Sequence, residues 1–107
     1  MVDEIYAIEL QTPRTVSYTI TAYKGEATYG NINGTENPFE ATKIVRSLKQ
    51  RGLTVKIIEH VVYQTSDNQK RIEDNDIPLK KLEAIVAGIW IRKPKEFRVL
   101  ASNDVVL

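Results

Sequence analysis

A single histidine, His60, and the complete absence of cysteine bound the chemistry open to this 107-residue chain. Without Cys there are no disulfides, thiolate metal sites or cysteine nucleophiles, and one His cannot form a cluster of imidazole ligands. Nucleophilic catalysis of the triad type needs an imidazole to activate a weak nucleophile and an acid to orient that imidazole. His60 sits in a run that reads as a strand, where its neighbour Glu59 points to the opposite face and is no partner for it. An enzymatic role for His60 would gain only if it lay in a pocket beside another acid.

The carboxylates are no more selective. Glu4, Glu9, Glu59 and the acids from Asp67 to Asp76 include no pair marked by spacing for hydrolysis across a cleft. Asp67, Asp74 and Asp76 offer oxygens to a hard cation, but their spacing matches no calcium loop, and Lys70 and Arg71 stand among them. Gly30 and Gly34-Thr35 precede a helix start, the general setting for a phosphate cradle. The P-loop lysine is missing, and Glu40 occupies the positive end of that helix. The sequence therefore predicts no catalytic, cofactor-binding or metal-ligating residue, and a chain that is not an enzyme.

Two local charge imbalances point instead to binding, within a net charge of only +1. Trp90, Arg92, Lys93, Phe97 and Arg98 combine aromatics with arginines, a common composition for an interface anchor. The competing reading places Trp90 in the core, as the last member of an apolar helical stripe. The expectation is a small binding or regulatory domain acting through protein–protein contacts, with another protein or with itself as a homodimer. The alternative is a nucleic-acid-binding domain using Lys43, Arg46, Lys49, Arg51 and Lys56, a stretch with no acid in it. Only Tyr23 stands ready as a stacking aromatic on the predicted outer sheet face. With so small a net charge, an ordinary solvated helix face explains the same residues.

These residues must be positioned by secondary structure, and hydrophobic period supplies it. Tyr6, Ile8 and Leu10, then Val16, Tyr18, Ile20 and Ala22, alternate as strands do. Around Pro13 they predict a hairpin pairing Leu10 with Val16, Ile8 with Tyr18 and Tyr6 with Ile20. Residues 27–29 suggest a short third strand, and Gly30 to Glu36 a loop. Asn37 as cap, Pro38 at the first helical position and Glu40 three residues after the cap open a helix over 38–51, closed by Gly52.

Leu53 to Tyr63 reads as a long strand whose imperfect alternation predicts either two covered faces or a bulge near Ile57-Ile58. A turn at Ser66 to Gln69 leads to a short returning strand at 70–73. Asp76 and Pro78 would start a second helix whose stripe runs from Leu79 to Trp90 and stops at Pro94. A rival reading ends that helix at Gly88 and makes Ile89 to Arg92 a strand. Phe97 to Leu100 predicts an edge strand, and Val105-Val106-Leu107 an apolar tail.

The fold class predicted is α+β: one small domain over 1–107, with an antiparallel sheet and two helices on one face. The sheet would comprise an N-terminal hairpin or meander and the long strand after the first helix. No basic n-region with an apolar h-region opens the chain, and no apolar run reaches the roughly 20 residues of a spanning helix. A cytoplasmic protein with no membrane partner is the simplest expectation.

Overall fold

The computed structural model describes residues 6–100, so the tail at Val105-Val106-Leu107 and the carboxylate of Glu4 lie outside the described residues. Six strands and two helices follow in the order β1 (Tyr6–Gln11), β2 (Thr15–Lys24), β3 (Ala27–Thr35), α1 (Pro38–Gln50), β4 (Thr54–Gln64), β5 (Lys70–Ile77), α2 (Leu79–Val86) and β6 (Lys95–Leu100). This is an α+β architecture with antiparallel pairing throughout. Strands β3-β2-β4-β5 form a four-stranded sheet, and β1 pairs with β6 in a separate two-stranded ribbon.

The two long central strands, β2 and β4, run in continuous register from Thr15 opposite Val62 to Tyr23 opposite Thr54. Alternation along both sends Tyr18, Ile20, Ile57 and Val61 to one face, where α1 and α2 cover Tyr18, Ile20 and Ile57 with Ala41, Val45 and Leu82. The polar set Ser17, Thr19 and Thr21 faces the other side, as its pattern predicts. No bulge interrupts β4 at Ile57-Ile58. Its apolar residues of opposite parity, Ile58 and Val62, lie half-buried on the face without helices.

Helix α1 forms where its capping residues place it. The Asn37 side chain accepts from the amides of Phe39 and Glu40 at 2.9 and 3.3 Å, Pro38 stands at the first turn, and Gly52 leaves the helix with φ 79°.

Several expected elements are arranged differently. The hairpin of β1 with β2 does not form, because β2 is flanked by β3 and β4 and has no free edge. Instead of turning back at Pro13, the chain joins β4, with the Arg14 amide bonded to the Val62 carbonyl at 2.7 Å. β1 pairs with the distant β6, Tyr6 opposite Leu100 and Gln11 opposite Lys95.

The stretch from Gly30 to Thr35 is strand rather than loop. An edge strand needs only one paired side, and register shifts against β2 absorb its irregular sequence, with Gly34 at φ 75°. The returning strand β5 reaches Ile77 and includes Asp76, so Asp76 does not cap α2; Pro78 stands at that cap with no side-chain hydrogen bond. Helix α2 stops at Val86, because Gly88 at φ 74° turns the chain away. Residues 89–94 then run without regular structure, neither helix nor strand.

The ribbon stretches the molecule. Its radius of gyration is 18.7 Å and its extents are 65 × 30 × 15 Å, against about 13 Å for a compact chain of this length. The ribbon passes the β4–β5 turn, where the Glu9 carboxylate accepts from the Ser66 amide at 3.0 Å. It presses Phe97 onto Tyr63 with ring centroids 4.9 Å apart, and it buries Val99.

The placement of the α2 terminus is open to measurement. Leu82→Ala removes a fully buried side chain and is expected to cost about 2–5 kcal/mol, whereas Ile89→Ala, beyond the helix and 81% exposed, stays within about 0.5 kcal/mol. Urea unfolding followed by circular dichroism measures both, and a helix continuing to Trp90 would bring the two costs together.

Candidate functional site

The segment after α2 is folded back on its own helix. The amides of Ile89 and Trp90 both reach the Ala84 carbonyl, at 3.0 and 3.2 Å. This seats the Trp90 ring against two cations, with Lys81 Nζ 4.5 Å and the Arg92 guanidinium 4.9 Å from its centroid. Arg92 continues inward, its Nη2 2.7 Å from Oε2 of Glu59, a side chain with 0% exposure. The contact pairs two opposite charges in the interior, where neither could stand alone.

Glu59 lies on β4 directly between Tyr18 of β2 and Asn75 of β5. Asn75 donates to Glu59 Oε1 at 3.4 Å and to Glu73 Oε1 at 3.1 Å, and Lys95 pairs with Glu73. Burial first, and then the Glu59 charge, push the Tyr18 phenol above its ordinary value. Hollows open on either side of Trp90 and Arg92. One of about 260 Å³ is lined by Val16, Tyr18, Pro38 and Ile85; a wider one of about 470 Å³ is lined by Tyr63, Ile91, Lys93 and Lys95.

The five residues expected to meet a partner are thus divided. Trp90, Arg92 and Phe97 turn inward as supports of the fold, while Lys93 and Arg98 are exposed. The Arg98 guanidinium sits 4.2 Å from the centroid of Tyr6 across the ribbon. Apolar groups that face water include Ile89 and Ile91 on the folded-back segment, Tyr6, Ile8, Leu10 and Leu100 on the ribbon, and Tyr29, Phe39 and Ile72 elsewhere. The spacing of those on β1 was visible as alternation, but alternation assigns a side chain to a face and does not say whether that face is covered.

Of the five basic residues considered for nucleic acid, Lys43, Arg46, Lys49 and Arg51 lie exposed on α1 or its C-cap, and Lys56 lies on β4. Lys43 lies over the Phe39 ring at 5.0 Å, and Arg46 pairs with Glu83 of α2 at 2.6 Å. Arg51 donates to the Tyr29 hydroxyl at 2.6 Å, and Lys49 is exposed. Lys56 lies on the opposite side of the sheet from α1, 4.0 Å from Asp76.

That opposite side holds His60. Its Nδ1 is 2.6 Å from Asp74 Oδ1, and its Nε2 is 2.7 Å from Thr19 Oγ1, a chain across three adjacent strands. Glu59 points away from it, as its parity requires. The three aspartates do not converge: Asp67 accepts from Thr65, Asp74 meets His60, and Asp76 faces Lys56. Among the described residues, no group of three His, Cys, Asp or Glu side chains is placed to hold a metal. Gly30 and Gly34-Thr35 belong to the edge strand β3. No helix among the described residues is long and apolar enough to cross a membrane.

Two outcomes follow from these contacts. Arg92→Met strands the Glu59 charge and is expected to cost about 3 kcal/mol, most of which returns when Glu59→Met is added; urea titrations of the single and double variants measure it. Hydrogen bonding from Lys95, and next from Asn75, holds the Glu73 carboxyl below its ordinary range. A depressed folded-state value contributes stability that is present above the unfolded glutamate range and is lost as pH falls through the folded value. Glu73→Gln should therefore lower the thermal midpoint at neutral pH, and the gap to wild type should close as pH falls below that range.

Against this fold and these geometries, no protein-family model, no curated protein and no solved structure matches the chain.

Proposed function

We propose that this chain is a binding domain acting through protein–protein contacts, and that a second copy of itself is the partner, docked on the outward face of the β1/β6 ribbon. The observation that carries the reading is the composition of that face. Ile8 and Leu10 are 66% and 63% exposed, with Tyr6 and Leu100 beside them. A two-stranded ribbon is marginally stable in water by itself, and a contiguous apolar row on it favours a covering partner.

The charges on the same face are self-complementary. Arg98 stands opposite Ile8 and Glu96 opposite Leu10 in the ribbon register. A two-fold axis crossing the strands between those two levels stacks Ile8 of one copy on Leu10 of the other. It also sets Arg98 of each copy over Glu96 of the other, an isologous contact in which apolar meets apolar and each charge meets its opposite.

Mass in solution, by light scattering coupled to size exclusion, tests the reading. The wild type is expected at twice its 12.2 kDa, and Ile8→Lys with Leu10→Lys at the monomer mass with its circular dichroism unchanged. Glu96→Arg should dissociate the dimer, and Glu96→Arg with Arg98→Glu should restore it. A wild type that stays monomeric at its highest soluble concentration, or a dimer indifferent to these changes, overturns the proposal.

A further inference from the structure

The sheet face without helices carries a hydrogen-bonded chain that the binding reading leaves unused. Asp74 of β5 lies directly opposite His60 of β4, and Thr19 of β2 stands two residues along from Ser17, the other cross-strand neighbour of His60. Asp74 Oδ1 to His60 Nδ1 is 2.6 Å, and His60 Nε2 to Thr19 Oγ1 is 2.7 Å. A carboxylate can only accept, so Nδ1 carries the proton facing Asp74. Nε2 then presents its lone pair to the hydroxyl of Thr19. This is the arrangement in which an oriented imidazole withdraws a hydroxyl proton as that oxygen attacks.

Each member is held by the sheet. The three strands are hydrogen-bonded neighbours, and β4 is paired on both sides, so the relay does not depend on a loop. Thr19 and His60 are partly exposed, and β2 carries further small hydroxyl residues on the same face, Thr15, Ser17 and Thr21. Ile58 lies directly opposite Thr19 across the strands, and Val62 projects from the same face two residues beyond His60. These give an acyl chain an apolar seat. Asp76 is paired with Lys56, and the Asp74 carboxylate beside the relay disfavours an anionic donor such as a phosphoryl group, so a neutral activated acyl ester is the matching reagent.

We propose that Thr19 is an activated acyl acceptor, with His60 as its general base and Asp74 as the positioning residue. Thr19 Oγ1 attacks the acyl carbon, its proton passes to His60 Nε2, the bond from acyl carbon to leaving oxygen breaks, and the alcohol departs with that proton. The product is an ester on Thr19 and a neutral His60. The reaction is a single transfer onto the protein, not a turnover.

The test incubates the full chain with p-nitrophenyl acetate and maps acetyl groups by peptide mass spectrometry. Thr15, Ser17 and Thr21, on the same face, serve as internal references. Acetylation is expected at Thr19 ahead of all three. The rate should fall about tenfold or more in His60→Ala and in His60→Gln, consistent with removal of a general base, and by a smaller factor in Asp74→Asn. Thr19→Val should abolish the adduct. Circular dichroism confirms that each variant is folded, and the glutamine variant preserves polarity in case alanine loosens the sheet. Labelling of Thr19 no faster than of Thr21, labelling of His60 alone, or a Thr19 rate unchanged in both His60 variants overturns the proposal. None of these outcomes depends on the oligomeric state.

Discussion

The pairing of β2 with β4 is the constraint from which the rest of the structure follows. Nine consecutive cross-strand pairs, from Thr15 opposite Val62 to Tyr23 opposite Thr54, fix which residues share a face. A slip of one residue would exchange every side chain on β2 between the helix-covered and the open side. With the register set, Tyr18, Ile20 and Ile57 meet α1 and α2, and Thr19 and His60 meet each other on the far side. The same pairing occupies both edges of β2 once β3 is added, which sends β1 away to find β6.

Register also places a charge where it is costly. Glu59 falls on the inner face between Tyr18 and Asn75, with no exposure at all. An ionised carboxylate there needs compensation, and the compensation arrives from a segment with no regular structure. Gly88 ends α2, the amides of Ile89 and Trp90 fold back onto Ala84, and Arg92 is delivered to Glu59 with Trp90 stacked beside it. Of the residues that resemble an interface anchor by composition, Trp90, Arg92 and Phe97 are thereby half-buried in contacts within the chain, while Lys93 and Arg98 stay exposed. Their neighbours Ile89 and Ile91 are left facing water at 81% and 78% exposure.

The ribbon is asymmetric in the same way. Its inner side is anchored by Phe97 on Tyr63, by buried Val99 and by Glu9 on the Ser66 amide. Hydrogen bonding from that backbone amide, the largest influence on Glu9, holds its carboxyl below the ordinary range, so the anchor favours the ionised form. The outer side keeps the apolar row of β1.

Much of this was legible in the sequence wherever the cause is local. Asn37, Pro38 and Gly52 determined α1 through capping and backbone conformation, and period two determined the faces of β2, whereas the imperfect alternation of β4 left a bulge open that only the register excludes. The separation of Glu59 from His60 followed from parity alone.

What depended on the partner of each strand was not legible. Alternation in Tyr6, Ile8 and Leu10 is the same whether β1 pairs with β2 or with β6, because both would satisfy the local pattern. The apolar stripe from Leu79 to Trp90 continued in sequence past a glycine whose left-handed turn ended the helix. The absence of Cys and the lone His limited the chemistry in advance. Only the tertiary structure brought Asp74 and Thr19 to that His, because the three stand on different strands and hydrogen bonds across strands join residues far apart along the chain.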